Sequence, residues 1–157
     1  MTVETRPRET STTRAYLSLG ANVGERAEGL GRARIALAAR EGIRLAACSS
    51  VAETAPVDVL DQPDFLNQVL AVETALSPSG LLEACLAVER ALGRRREGVP
   101  PRGPRTIDVD VLLYGGRAVE EPGLTVPHPR LARRPFLLPL LEEVGVPAAW
   151  LHATEAT

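Results

Sequence analysis

Two carboxylates, Asp108 and Asp110, stand two residues apart in an apolar run that follows Gly103-Pro104-Arg105-Thr106. Alternate side chains of a β-strand point to the same face, so both carboxylates lie on one face of a predicted strand, with about 6.6 Å between their positions. Carboxylate oxygens at that spacing can converge on hard cations such as Mg²⁺. The pair therefore indicates a metal site that could serve a polyphosphate.

The surroundings of the pair support this interpretation. The opposite face of the predicted strand is apolar and should pack on a core; it carries Ile107, Val109, Val111 and Leu113. Arg105 precedes the carboxylates, and Arg94-Arg95-Arg96 lies shortly before it. Arginine keeps its charge and donates paired hydrogen bonds to phosphate oxygens. Carboxylates for a metal beside guanidinium groups for oxyanions are what a polyphosphate site needs.

Composition excludes several kinds of protein. All 18 basic residues are arginine, so the chain has no lysine for a Walker A motif, a Schiff base or a general base. The net charge of −2 argues against bulk nucleic-acid binding. Cys48 and Cys85 lie far apart and lack zinc-ligand spacing with the two histidines. We interpret both cysteines as reduced core thiols.

Length and hydrophobicity set the expected organisation. A chain of 157 residues, 45% of them hydrophobic, can bury one sizeable core, and we expect a single domain over residues 14–157. Residues 1–13 are rich in Thr, Arg and Glu, which predicts a disordered tail. No apolar run reaches the roughly 18 residues that span a membrane, and the first residues lack the apolar stretch of a signal peptide. We therefore expect a cytoplasmic protein without a membrane partner. We also expect it to be a monomer.

The elements that position the carboxylates follow from periodicity and from helix signals. Strands are predicted at 15–20, 44–52, 65–74 and after Gly103, and helices at 25–39 and from Ser77-Pro78 to Gly93. The order is β-α-β-β-α-β, an α/β (α+β) arrangement of the ferredoxin-like kind. In it two helices cover one sheet face and leave the other open, so function is expected on the open face. The residues after Leu124 form a C-terminal extension with a turn at 126–129 and a helical piece near 130–141.

Four separated segments carry a family resemblance: 16–22, 61–67, 103–115, and 124–128 with Arg134 and Phe136. In these segments the chain resembles the 6-hydroxymethyl-7,8-dihydropterin pyrophosphokinases of folate biosynthesis. The resemblance covers about Ala15 to Val144. It implies a ferredoxin-like fold and transfer of pyrophosphate from ATP to the hydroxymethyl group of the pterin, with release of AMP.

The resemblance also implies roles on the nucleotide side. Asp108 and Asp110 match the pair that holds two Mg²⁺ ions, and Arg94, Arg96 and Arg105 match arginines that act with them in catalysis. The implied ATP contacts are Glu89, Arg96, Arg105, Thr125, His128 and Arg134. His128 is expected to contact phosphate rather than to act as an obligatory base.

On the pterin side, the resemblance implies that the flat ring stacks between two phenyl groups and that polar groups form hydrogen bonds with its edge. The implied contacts are Thr54, Pro56, Val57, Phe65, Asn67 and Phe136. Phe65 and Phe136 match the stacking rings. Asn67 matches the side chain that hydrogen-bonds the edge of the pterin, because an amide can donate and accept hydrogen bonds at once.

Some positions depart from the family pattern. Leu86 replaces a common glutamine, and Arg102 replaces a frequent Trp or Asn, so we expect the same reaction with altered loop dynamics.

Two other classes of function are weighed against this one. A ferredoxin-like RNA-binding module would need clustered aromatic residues and a basic surface, and this chain has neither. A catalytically silent homologue that binds nucleotide or pterin is the remaining alternative.

Overall fold

A computed structural model describes residues 11–22, 25–55, 63–92, 107–129 and 131–155. Its main sheet contains β1 (Thr13–Ala21), β2 (Ile43–Cys48), β3 (Ala52–Thr54), β4 (Phe65–Thr74) and β5 (Asp108–Tyr114). The strands are antiparallel in the order β2-β4-β1-β5, and β3 also pairs with β4. Helices α1 (Arg26–Ala38) and α2 (Pro78–Ala91) connect them. This order confirms the ferredoxin-like arrangement.

Helix α2 begins where the sequence predicts it. Ser77 has extended backbone angles, and its Oγ accepts a hydrogen bond from the Gly80 N–H at 3.1 Å. Pro78 follows at the first helical position, where its missing N–H costs nothing and its fixed φ suits the helix. The apolar face of α2 is buried against the sheet, so its ends and its rotation are both fixed.

The first core lies between the two helices and one face of the sheet. Alternating residues of β1, β4 and β5 reach it, among them Leu17, Leu19, Leu70, Val72, Val109 and Val111, all nearly inaccessible. In β4 this is the predicted alternation, because Asn67, Val69 and Ala71 point to the opposite face. The helix-covered face therefore provides most of the hydrophobic stabilisation.

The C-terminal extension covers part of the face that was expected to be open. It contains the hairpin β6 (Val119–Glu121) and β7 (Leu124–Val126), a 3₁₀ turn at Leu131–Arg133, α3 (Leu137–Glu143) and α4 (Ala148–Glu155). Tyr16, Val69 and Ala71 are fully buried in a second core with Leu137 and Leu141. The open face is thus limited to the part that lies outside this second core.

Strand β5 contains a bulge that corrects one prediction. Leu17 pairs with Val111, whereas the preceding residue Tyr16 pairs with Leu113, so β5 has one extra residue at Leu112. A bulge changes the alternation of the strand. Leu113 therefore packs with Tyr16 in the second core, and the prediction that it shares a face with Val111 was wrong.

The predicted strand 44–52 is divided into β2 and β3 by Ser49. The Oγ of Ser49 accepts the Val69 N–H at 2.9 Å, and its carbonyl accepts the Gln68 side-chain amide at 2.6 Å. These side-chain bonds replace part of the regular ladder, so the strand is interrupted. Residues 11–13 are described and Thr13 already begins β1, while residues 1–10 of the expected tail lie outside the described ranges.

Both cysteines are free, but only Cys85 lies in the core. Cys48 is exposed on the edge strand β2, so its interpretation as a core thiol was wrong. Over the described ranges, no helix combines the length and the apolar character required to cross a membrane.

Candidate active site

The carboxylates of Asp108 and Asp110 lie on the same face of β5, opposite the helices. Asp108 pairs with Gly20 and Asp110 with Ser18 on the neighbouring strand β1. Both aspartates are half-buried, and the Asp110 side chain keeps 20% of its surface exposed. The two carboxylates therefore share one strand face, as predicted, and both remain partly accessible.

His128 is brought beside this pair by the turn after β7. Its backbone N–H donates to the Leu112 carbonyl at 3.0 Å, which fixes the turn against β5. The His128 Nε2 lies 3.8 Å from the Asp110 Oδ1. The structure therefore joins two residues that are 18 positions apart in the chain.

A cavity of about 610 Å³ opens between β5, the β6–β7 hairpin and α2. Asp110 and His128 line it together with Thr125, which the sequence also singled out. Its volume lies in the range typical of small-molecule sites. The structure thus places Asp110, His128 and Thr125 around a space large enough for a nucleotide.

Two acidic residues in this cavity were missed by the sequence analysis. Glu120 and Glu121 line it from β6, and the Thr125 Oγ1 donates to the Glu120 Oε2 at 3.2 Å. The hairpin was not predicted, because three-residue strands give too short a pattern to detect. Carboxylates repel phosphate, so this end of the cavity suits the nucleoside better than the triphosphate.

Glu89, an expected ATP contact, has another visible role. The residue is 2% exposed, and its Oε2 accepts the Val109 N–H at 2.7 Å. Val109 lies between the two aspartates, so the bond positions the backbone that carries them. Burial, together with the charges of Glu89 and Asp110, raises the pKa of the nearby Cys85 thiol, which therefore stays neutral.

A second group of predicted residues meets where β3 pairs with β4. The Asn67 Nδ2 donates to the Thr54 Oγ1 at 2.6 Å and lies 3.4 Å from the Ala52 carbonyl. Thr54 pairs with Phe65 in the adjoining strands. The structure thus brings Thr54, Phe65 and Asn67 together, and their role in binding a ring stays a prediction.

Gly20 keeps the space beside these residues open. It pairs with Asn67 on one side and with Asp108 on the other. A Cβ atom at Gly20 would lie 3.5 Å from both the Asn67 Oδ1 and the Phe65 ring. Gly20 therefore separates Asn67 and Phe65 from Asp108 without filling the space between them, a role that sequence analysis did not assign.

The remaining predicted residues divide into described and undescribed positions. Phe136 is the N-cap of α3 and is half-buried against the second core. Arg134 precedes it, and its carbonyl accepts the Leu137 N–H at 2.9 Å. Leu86 is half-buried on α2. Outside the described residues lie Pro56, Val57, Arg94, Arg96, Arg102 and Arg105, whose roles stay predictions.

The donor set fits Mg²⁺ better than a metal enclosed by protein. Within the described ranges no group of three or more His, Cys, Asp or Glu side chains could hold a metal ion. Mg²⁺ binds through one or two carboxylates and completes its octahedron with water and substrate phosphates. Two half-buried aspartates on one strand face, one of which lines the cavity, meet that requirement.

Comparisons with known proteins agree with one another. The family model described as 7,8-dihydro-6-hydroxymethylpterin-pyrophosphokinase (HPPK) matches residues 16–145. The chain is similar to the 2-amino-4-hydroxy-6-hydroxymethyldihydropteridine pyrophosphokinase of Methylorubrum extorquens, with 48% identity over 133 residues, 85% of this chain and 83% of the relative. The Bacillus subtilis protein of the same name is 41% identical over 130 residues, 83% of this chain and 77% of the relative.

A solved structure supports the fold. The chain is similar to wild-type HPPK-DHPS of Plasmodium falciparum with pterin and p-hydroxybenzoate, with a TM-score of 0.53 and 16% identity. The match covers 71% of this chain and 29% of that chain. At this level of identity the likeness establishes the architecture.

Proposed function

The chain belongs to the 7,8-dihydro-6-hydroxymethylpterin-pyrophosphokinase family, and from that premise we propose how its residues perform the reaction. The protein is a pyrophosphokinase that acts on hydroxymethyldihydropterin in folate biosynthesis, with ATP as co-substrate. The observation that carries the assignment of the site is the position of Asp110 beside His128 and Thr125 in one cavity.

The reaction we propose transfers a pyrophosphoryl group in one displacement. The hydroxymethyl oxygen of the pterin forms a bond to the β-phosphorus of ATP, and its proton is released. The bond from that phosphorus to the oxygen bridging the α-phosphorus breaks, and AMP leaves with this oxygen. Since negative charge accumulates on the transferred and departing groups, the site needs positive charge and hydrogen-bond donors around the phosphates.

Asp108 and Asp110 are the residues we propose to hold Mg²⁺, as two ions. When bound, Mg²⁺ neutralises phosphate charge and orients the reacting oxygens. The shared strand face and partial exposure of the two carboxylates support this role. Glu89 supports it as well, because its bond to the Val109 N–H holds the backbone between them.

We place the triphosphate at the Asp110 end of the cavity. His128 lies there to donate a hydrogen bond to a phosphate oxygen, whereas Thr125, whose hydroxyl donates to Glu120, lies on the nucleoside side. Arg134, Arg94, Arg96 and Arg105 supply the permanent positive charge that this reaction requires. The acidic β6 residues favour an orientation in which the ribose and base lie toward the hairpin.

For the pterin we propose the space beside Gly20. Phe65 and Phe136 stack on its two faces, Asn67 and Thr54 read its polar edge, and Pro56 and Val57 complete that edge. The bond from Asn67 to Thr54 supports this, because it fixes the amide orientation before the ligand arrives. A ring without a matching donor would not satisfy the buried Asn67 Oδ1 and would bind more weakly.

The protein is proposed to work as a monomer in the cytoplasm. Both its cysteines are free, as the reducing conditions of the cytoplasm favour. Size-exclusion chromatography with light scattering would test the first part. A mass near twice 16.8 kDa would contradict it.

The reaction is tested by measuring AMP. Purified protein, ATP, Mg²⁺ and 6-hydroxymethyl-7,8-dihydropterin should yield AMP and the pterin pyrophosphate in equal amounts. Omitting the pterin should abolish AMP formation, which separates transfer from simple hydrolysis. If both ligands bind in calorimetry and AMP stays at background, the protein is instead a silent binding homologue.

A further inference from the structure

The carboxylate of Glu143, at the end of α3, accepts hydrogen bonds from Ser50, which lies two positions before β3. The Glu143 Oε1 accepts the Ser50 backbone N–H at 2.7 Å, and its Oε2 accepts the Ser50 hydroxyl at 2.8 Å. Both oxygens of one side chain thus bind both donors of one residue. We call this contact the Ser50–Glu143 clasp.

Ser50 itself is firmly attached to the sheet through its neighbour. The Ser49 N–H donates to the Val69 carbonyl at 2.8 Å, and the Ser49 hydroxyl donates to the Ser50 carbonyl at 2.7 Å. The Gln68 amide adds a bond to the Ser49 carbonyl, and Arg34 in turn holds the Gln68 Oε1 at 2.6 Å. The clasp therefore fastens α3 to a fixed point of the sheet.

Each side of the clasp leads to one wall of the proposed pterin site. Phe136 caps the opposite end of α3, about 10 Å from Glu143 at the helical rise of 1.5 Å per residue. Four residues after Ser50 lies Thr54, which holds Asn67. We propose that Ser50 and Glu143 are positioning residues that set the separation between the Phe136 wall and the Thr54–Asn67 wall; this inference rests on the proposed function.

The contact is more specific than an ordinary surface hydrogen bond. It is bidentate and charge-assisted, a type that fixes orientation as well as distance. Its two donors lower the pKa of Glu143 below the ordinary value. The helix is also held by its core residues and by the Tyr16 hydroxyl, which donates to the Gly145 carbonyl at 3.3 Å. Loss of the clasp should therefore tilt α3 without unfolding it.

The decisive variant is Glu143→Ala, with Glu142→Ala as its matched control. Glu142 is the exposed neighbour of Glu143 on the same helix. Calorimetry with a nonhydrolysable ATP analogue and Mg²⁺ present gives the pterin Kd, and a separate titration gives the Kd of the analogue. Glu143→Ala should raise the pterin Kd about five- to tenfold, because a small misplacement of a binding wall is costly. The Kd of the analogue and both constants of Glu142→Ala should stay within about twofold.

Ser50→Ala is the second variant, since it removes one bond and keeps the backbone one. It should raise the pterin Kd by less than Glu143→Ala, and the double variant should add nothing to Glu143→Ala. An unchanged pterin Kd in Glu143→Ala, or an equal rise for the ATP analogue, overturns the positioning role. Phe136→Ala separates this result from failure of the site itself: if it leaves pterin binding intact, the proposed pterin site is wrong.

Discussion

Near the end of α2, the carboxylate of Glu89 is buried beside the strand that carries Asp108 and Asp110, and it accepts the N–H between them. The family resemblance of the sequence implied a nucleotide contact for Glu89. The geometry favours an indirect role, in which Glu89 positions the backbone of β5. The acidic pair itself was predictable, because a period of two residues in an apolar run fixes its orientation. The partner of Glu89 was not, since it comes from the fold and not from the neighbouring sequence.

Removing the Glu89 carboxylate should destabilise the protein. Glu89→Ala leaves the Val109 N–H buried without this acceptor, which costs about 1–3 kcal/mol. Urea unfolding monitored by circular dichroism measures the loss. Glu89→Gln keeps an acceptor oxygen and should retain most of the stability, so equal destabilisation by both variants would argue against the bond to Val109.

Asp110→Ala should affect activity and not stability. The side chain is half-buried on the sheet face opposite the helices and belongs to neither core. Loss of metal-assisted charge neutralisation worth several kcal/mol corresponds to a fall in kcat of about a hundredfold or more. Steady-state AMP release and a thermal melt measure the two effects, with Glu83→Ala on the exposed side of α2 as control. Unfolding of Asp110→Ala would assign the residue a structural role.

At the scale of elements, the cap of α2 offers a clean test of local sequence signals. Ser77→Ala removes the acceptor of the Gly80 N–H and should lower the free energy of unfolding by about 1 kcal/mol, whereas Ser77→Gly should cost only a few tenths. Chemical denaturation distinguishes the two. Equal values for both variants would show that tertiary packing, rather than the cap, determines the start of the helix.

The elements that sequence predicted well carry strong local signals. Strand β4 was predicted with its observed bounds, because its alternation is regular and Ser77-Pro78 follows closely. The bulge in β5 could not be predicted, because Leu112 and Leu113 are both apolar and a leucine suits either face of the sheet. The sequence pattern therefore does not show where the alternation changes. The coverage of Tyr16 by α3 was missed as well, because a hydrophobic segment does not reveal which sheet face it will cover.

For the molecule as a whole, the sheet lies between two hydrophobic cores, and the Ser50–Glu143 clasp links the second layer to the sheet. Because hydrogen bonds from Ser50 lower the pKa of Glu143, its contribution to stability is present above the unfolded pKa of about 4.3 and is lost as pH falls through the folded value. Acid should therefore loosen this link before it disturbs the cores.

The Tm difference between the wild type and Glu143→Gln measures this effect. It should be constant between about pH 6 and 7 and should shrink below about pH 4, where the wild-type carboxylate is protonated and resembles the amide. The Tm difference between the wild type and Glu142→Gln should not shrink in this way as the pH falls. A difference that grows as pH falls would contradict the predicted sign.

The extra residue in β5 has a consequence for how the chain tolerates changes in length. Asp108 and Asp110 lie on the face opposite the helices, while Tyr114 turns to the helix side and donates to the Leu76 carbonyl at 2.7 Å. Without the bulge, strict alternation would send either the aspartates or Tyr114 to the wrong face. The strand should accept apolar replacements at Leu112 far more readily than a one-residue deletion there, so its residue count is constrained more tightly than its side chains.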